Sequence, residues 1–146
     1  MKLTVEDNSL QVAKNFEKQV REQPQIVKTA LGRTAEFLMG IIKQRTTRGQ
    51  SADGNSFLPY TEAYKTFRSN AGRQTQFPDL TFSGQMLSNI TQKSSPTEAI
   101  IYFANKFQNT KALGNQKKRK FFAIGAREIQ PIMNVFMKEY NKLSKI

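Results

Sequence analysis

The sequence predicts an α+β fold: a small antiparallel β-sheet packed against a long N-terminal helix and a C-terminal helix, with long loops between them. Three observations carry that expectation. Apolar residues recur at helical spacing near both ends of the chain, a β-branched and aromatic run follows a turn signal in the middle, and Gly-rich polar stretches separate the periodic segments. At 146 residues, one domain spanning 1–146 accounts for the whole chain.

Taken in order, Asn8 or Ser9 can cap a short helix through Glu22, with Val12, Phe16 and Val20 on one face. Pro24 suits the first turn of a new helix better than the interior of an old one, so a second helix is expected from Pro24 to about Thr46. Ile26, Val27, Ala30, Leu31, Ala35, Phe37, Leu38, Ile41 and Ile42 form its apolar stripe and should mostly be core. Gly32 and Gly40 each weaken that helix by about 1 kcal/mol relative to Ala, which points to a partner crossing closely. From Thr47 to Pro59 the period vanishes into a loop with Gly49 and an Asp53-Gly54 turn. Thr61 can cap a short helix with Tyr64 and Phe67 on one side, and the polar stretch Ser69 to Gln76 reads as mobile. The segment after Pro78-Asp79 begins as a turn or short helix and passes into a strand.

Ser88 to Ser95 and Glu98 to Ala104 read as a hairpin, with Ile100 to Phe103 expected to be buried on both faces. A loop rich in Lys, Asn and Gly should follow, then a short strand near Arg119 to Ile124. The last helix starts at about Ala126 and tolerates Pro131 in its first turn; Ile129, Ile132, Met133, Phe136, Tyr140 and Leu143 form its stripe.

Composition removes whole classes of chemistry. The chain has no His, Cys or Trp, which excludes imidazole bases, thiol nucleophiles, disulfides, zinc fingers and haem or iron–sulfur ligation. No phosphate-cradling Gly motif and no serine-nucleophile motif occurs. Asp53, Glu62, Asp79 and Glu98 remain for acid–base or metal-assisted work, but their spacing suggests no pairing and Asp53 lacks the rest of a calcium loop. The reading is noncatalytic, with no cofactor and no metal. Neither a secretory signal nor a membrane-spanning run is visible, so the chain is expected to be soluble in a reducing compartment.

The formal charge is +12, spread as +4 over residues 1–50, zero over 51–104 and +8 over 105–146. The densest run, Lys117, Lys118, Arg119 and Lys120, leads into Phe121 and Phe122. Clustered cations beside aromatics could hold nucleic acid. A solvated basic edge anchored by two core phenylalanines is the favoured reading, and a basic rim facing an acidic protein surface lies between the two.

Three ordered blocks resemble the phage virion morphogenesis family, the tail completion or head–tail joining proteins of tailed bacteriophages. The first is Arg48-Gly49, then Asp53-Gly54-Asn55-Ser56-Phe57-Leu58-Pro59, then Tyr64-Lys65. The second is Leu80-Thr81-Phe82-Ser83-Gly84-Gln85-Met86-Leu87-Ser88. The third is Lys111-Ala112-Leu113-Gly114-Asn115-Gln116 with Arg119-Lys120-Phe121-Phe122-Ala123-Ile124. Departures from the family pattern are Asn115 in place of its His, Lys120 in place of its Pro and Ala123 in place of its Gly. The resemblance implies a structural virion protein of the neck or tail end, assembled in host cytoplasm as a homo-oligomeric, hexameric ring. Its implied partners are copies of itself, head connector or neck proteins, tail terminator or tail tube proteins, and DNA in the channel. Gly49, Asp53, Gly54, Phe57, Pro59, Tyr64, Leu80, Thr81, Gly84, Met86, Gln116, Arg119, Phe121 and Phe122 would be its structural signature, with Lys117 to Lys120 as a basic interface. A small basic nucleic-acid-binding protein is the alternative.

Overall fold

A computed structural model describes the backbone of residues 9–145, with the side chains of 14–18 and 20–145. It is α+β: a two-stranded antiparallel sheet, a long N-terminal helix and a C-terminal helix, joined through short helices and loops.

Where two N-terminal helices were expected there is one, α1, Ser9–Thr47, with Pro24 inside it. Proline there removes the bond to the carbonyl of Val20 and costs about 3 kcal/mol in a helix interior. The side chains of residues 20–25 are all exposed, so water can reach the carbonyl that loses its donor, and packing further along holds the helix. The expected Asn8 cap and the Val12 side chain lie outside the described residues. Phe16 and Val20 form an exposed apolar face.

Burial begins at Ile26, and Ala30, Ala35, Leu38 and Ile42 carry it down α1. Phe37 departs from the expected stripe and is exposed. At Gly32 a Cβ would sit 3.1 Å from the Ser94 hydroxyl, so this glycine marks where α1 crosses the sheet. Gly40 has open space around it and no such reason.

After α1 the chain turns at Gly49, φ +77, and makes the Asp53-Gly54 turn, with Gly54 at φ +86. Asp53 accepts from the Ser51 hydroxyl and from the Asn55 amide, and those bonds, Ser51 foremost, hold its carboxyl below the usual range. Helix α2, Glu62–Asn70, starts at Thr61, whose hydroxyl accepts from the Tyr64 amide as a cap. The stretch after it is tied down: Gln74 donates to the Phe77 carbonyl and to Asp79, and the Arg73 amide bonds back to Arg68. The stretch Ser69 to Gln76, expected to be mobile, carries those bonds in the fold.

Helix α3, Gln85–Ser88, leads directly into β1, Ile90–Ser94, which pairs with β2, Ala99–Phe103, in the register Ile90 with Phe103 and Ser94 with Ala99. The hairpin is as expected, but β2 is buried on one face only. Phe103 packs into the core with Ile101 against it, while Ile100 and Tyr102 face outward, 39% and 38% exposed. Two strands have no second layer on that side, so the alternation is amphipathic.

The expected Lys/Asn/Gly loop is instead a helix, α4, Lys106–Gln116. Asn105 caps it by accepting from the Phe107 and Gln108 amides at 2.8 and 3.2 Å. The expected strand at Arg119 to Ile124 is absent. The Gln116 side chain occupies the backbone groups of Phe122, donating to its carbonyl at 3.2 Å and accepting from its amide at 3.0 Å. That amide imitates a strand neighbour, so no ladder extends. A 3-10 turn, Ala126–Glu128, then opens helix α5, Ile129–Leu143, which holds Pro131 in its first turn. Helix α5 runs back along α1, with ion pairs or hydrogen bonds at Arg45–Glu128, Arg33–Glu139 and Gln23–Tyr140. The Arg33 guanidinium, by hydrogen bond and charge, holds the Glu139 carboxyl below its usual range. The core gathers Leu38, Ile42, Phe57, Met86, Leu87, Ile90, Phe103, Ala112 and Phe121.

Candidate functional site

The three sequence blocks, separated along the chain, meet at one cleft of about 570 Å³. Tyr64 comes from the first block, Leu80, Thr81, Gly84 and Met86 from the second, and Lys111, Asn115 and Arg119 from the third. Helices α2 and α4 and the connecting segment Leu80 to Gly84 supply most of the walls, and Met86 of α3 joins the cleft to the core beneath it.

A ladder of rings and guanidinium groups lines one side. Tyr60 lies between two arginines, with Arg68 and Arg119 each 5.0 Å from its ring centre. Tyr64 meets Tyr60 edge-on at 4.8 Å and stacks on Phe67 at 5.9 Å; Phe67 stacks on Phe82 at 5.4 Å, and Arg73 covers Phe82 at 5.7 Å. Most ring faces in this series are therefore covered by the next member.

Arg68 fixes the ladder. It is 1% exposed, donates to Asp79 at 3.1 Å and gives its other donors to the carbonyls of Gln74 and Thr81. Asp79 in turn accepts from the Thr81 amide at 2.9 Å. One buried ion pair thus shapes the whole segment from Gln74 to Thr81. Leu80 sits within it at φ +52, a left-handed conformation that costs a branched residue roughly 1–3 kcal/mol and persists only where its surroundings impose it. The Tyr60 hydroxyl accepts the Leu80 amide at 3.2 Å, and the Leu80 side chain packs on the core. Burial pushes the Tyr60 phenol up, so it stays neutral at physiological pH.

Arg119 leaves the basic run to join this site. It donates to the Leu58 and Pro59 carbonyls at 3.1 and 3.4 Å, while Lys117, Lys118 and Lys120 stay exposed. Phe121 is fully buried and Phe122 packs beside it, so the anchoring role expected of the pair is what the fold contains, without the strand. The cleft wall carries Arg68, Lys111 and Arg119 and no carboxylate. Among the described residues neither Lys111 nor Arg119 forms a salt bridge.

Other signature positions lie around the cleft rather than in it: Gly49 and the Asp53-Gly54 turn close the loop after α1, and Phe57 is core. Gly84, φ +81, both lines the cleft and starts α3. Sequence reasoning missed Tyr60, Arg68 and Arg73. The available signal was the spacing of Tyr60, Tyr64, Phe67 and Arg68, which puts them on adjoining faces of one short helix and its entry. Among the described residues no three carboxylates gather at one point, and no helix is long and apolar enough to cross a membrane.

Comparison of the chain with known protein families, with curated proteins and with solved structures gives no match.

Proposed function

We propose that the chain is a noncatalytic structural protein of a phage neck or tail end, which completes the tail and joins it to the head as a hexameric ring. The observation that supports this most directly is the convergence of the three family-like blocks on one cleft, although they are spread over residues 48–124. Residues that recur together in a family because they build one local structure ought to be neighbours in space, and these are. Surface chemistry agrees with a life spent against other proteins. Phe16 and Val20 on α1 and Ile129, Met133 and Met137 on α5 are large apolar side chains left in water. Subunits in a ring meet through unlike patches, one copy presenting to the next a surface different from the one it receives.

Negative-stain images of the purified protein, alone and mixed with tails from the same virus, test the reading. Rings in the first sample and tails capped at one end in the second are expected. Dispersed monomers beside uncapped tails would contradict it.

The second reading, a small basic nucleic-acid-binding protein, draws on the exposed Lys117, Lys118 and Lys120. It requires DNA affinity that falls steeply with salt and is lost when these lysines are neutralised.

A further inference from the structure

Resting on the ring reading, we propose that the N-terminal segment of one copy, carrying Glu6 and Asp7, docks in the Arg68–Lys111–Arg119 cleft of the next copy. Four observations lead there.

Arg68 is paired with Asp79, but the other two cations of the cleft have no counter-charge among the described residues. Lys111 and Arg119 stand on a wall that has no carboxylate, with Arg73 at the rim over Phe82. Desolvating such a wall against a neutral surface would be unfavourable, whereas an acidic segment satisfies it.

The chain contains one place where two carboxylates are adjacent, Glu6-Asp7. Most acids further along are already engaged: Asp53 with Ser51, Glu62 with Lys65, Asp79 with Arg68, Glu128 with Arg45 and Glu139 with Arg33. Leu3 and Val5 precede the pair with apolar side chains suited to the aromatic rings and to Met86.

Reach makes the contact intermolecular. The cleft packs on α1 at the level of Leu38 and Ile42 through Met86. From Ser9 to Leu38 the helix rises about 44 Å, and the three residues from Glu6 to Ser9 span at most about 10 Å when extended. A chain cannot place its own Glu6 in its own cleft, and a head-to-tail neighbour can.

The start of α1 leaves an apolar side uncovered. All described side chains from residue 14 to 25 are exposed, Phe16 and Val20 among them. The residues at the end of α5 reach this stretch along Asn15, Lys18, Glu22 and Gln23, and a neighbouring subunit supplies a surface for Phe16 and Val20.

Charge reversal in the full-length protein tests the pairing, read by light scattering. One variant carries Glu6→Lys and Asp7→Lys; the other carries Arg73→Glu and Lys111→Glu, exposed positions whose change leaves the core intact, checked by circular dichroism. Each alone is expected to weaken assembly by about tenfold or more, the effect of losing one or two charge pairs at an interface. An equimolar mixture is expected to assemble again, because the basic arm of the first variant meets the acidic cleft of the second and the acidic arm of the second meets the basic cleft of the first. If the wild type forms rings and the Glu6→Lys/Asp7→Lys variant forms them equally well, the arm assignment falls and the ring reading stands. A mixture that fails to reassemble also overturns the pairing. A wild type that stays monomeric at every concentration overturns both. Tight binding of a labelled oligo(dT) that Arg73→Glu/Lys111→Glu abolishes, with ring formation by the arm variant undisturbed, would assign the cleft to nucleic acid instead.

Discussion

Arg45→Ala is expected to lower the unfolding free energy by about 3–5 kcal/mol. Arg45 ends α1 almost wholly buried, where a basic residue also favours the helix dipole. Its Nε donates to Glu128 at 2.9 Å, Nη1 to the Phe121 carbonyl at 2.6 Å and Nη2 to the Ala123 carbonyl. The single side chain thereby fastens α1, the segment around Phe121 and the start of α5. Truncation strands a carboxylate that is 14% exposed and two carbonyls, and leaves a gap beside the core. Glu128 keeps its bond from the Gly125 amide at 2.8 Å, which places the loss toward the lower end of the range. In a chain of this size that corresponds to roughly 10 °C in Tm. Replacing both partners, Arg45→Met with Glu128→Leu, should recover part of the loss, since no charge is then left unpaired. A Tm for Arg45→Ala within about 2 °C of the wild type would show that the guanidinium is dispensable.

Gly125→Ala is expected to destabilise by about 3 kcal/mol or more, at the upper end of overpacking effects. The backbone there is ordinary, φ −81 and ψ 152, so left-handed strain has no part in it. Space decides: a Cβ would lie 2.0 Å from the Ala52 carbonyl oxygen, and Ala52 is held by its amide bond to Lys120 at 2.8 Å. The obstacle is backbone, pinned on the next stretch of chain, and cannot swing aside as a side chain would. Gly40→Ala provides the opposite sign. Its Cβ would meet nothing within 4 Å, and alanine in a helix interior is favoured by about 0.5–1 kcal/mol. Urea unfolding of the two variants should move the midpoint in opposite directions at unchanged slope. Equal midpoints would mean that the Gly125 approach to Ala52 is looser than described.

These two positions also show what the sequence could and could not reveal. Local chemistry was legible: the Thr61 cap, the Asp53-Gly54 turn, the hairpin turn after Ser94, Pro131 in the first turn of α5 and the Gly32 crossing all follow from residue type and neighbour spacing. Pro24 misled because its cost depends on whether the freed carbonyl is buried, and only the fold shows that this part of α1 stands in water. The Lys106–Gln116 helix was hidden by Gly114 and its Asn residues, though Asn105 ahead of a run of adequate helix formers was a usable cap signal. Arg119 to Ile124 has the composition of a strand, yet the Gln116 amide takes the bonds a ladder would use. The Arg68–Asp79 and Arg45–Glu128 pairs were beyond reach. In sequence each arginine sits at a helix end, where a solvated charge is the ordinary expectation, and their burial is set by contacts with distant segments. The cleft was half visible, since its blocks could be named in order while Tyr60 and Arg68, which shape it, belong to none of them.

The central claim is that this chain acts by assembling with copies of itself through shape and charge. Light scattering of the full-length protein over a range of concentrations at physiological salt measures it most directly. A mass fixed at the hexamer, reached cooperatively and stable on dilution over at least tenfold, is the predicted result. The mass of a single chain at every concentration would contradict it.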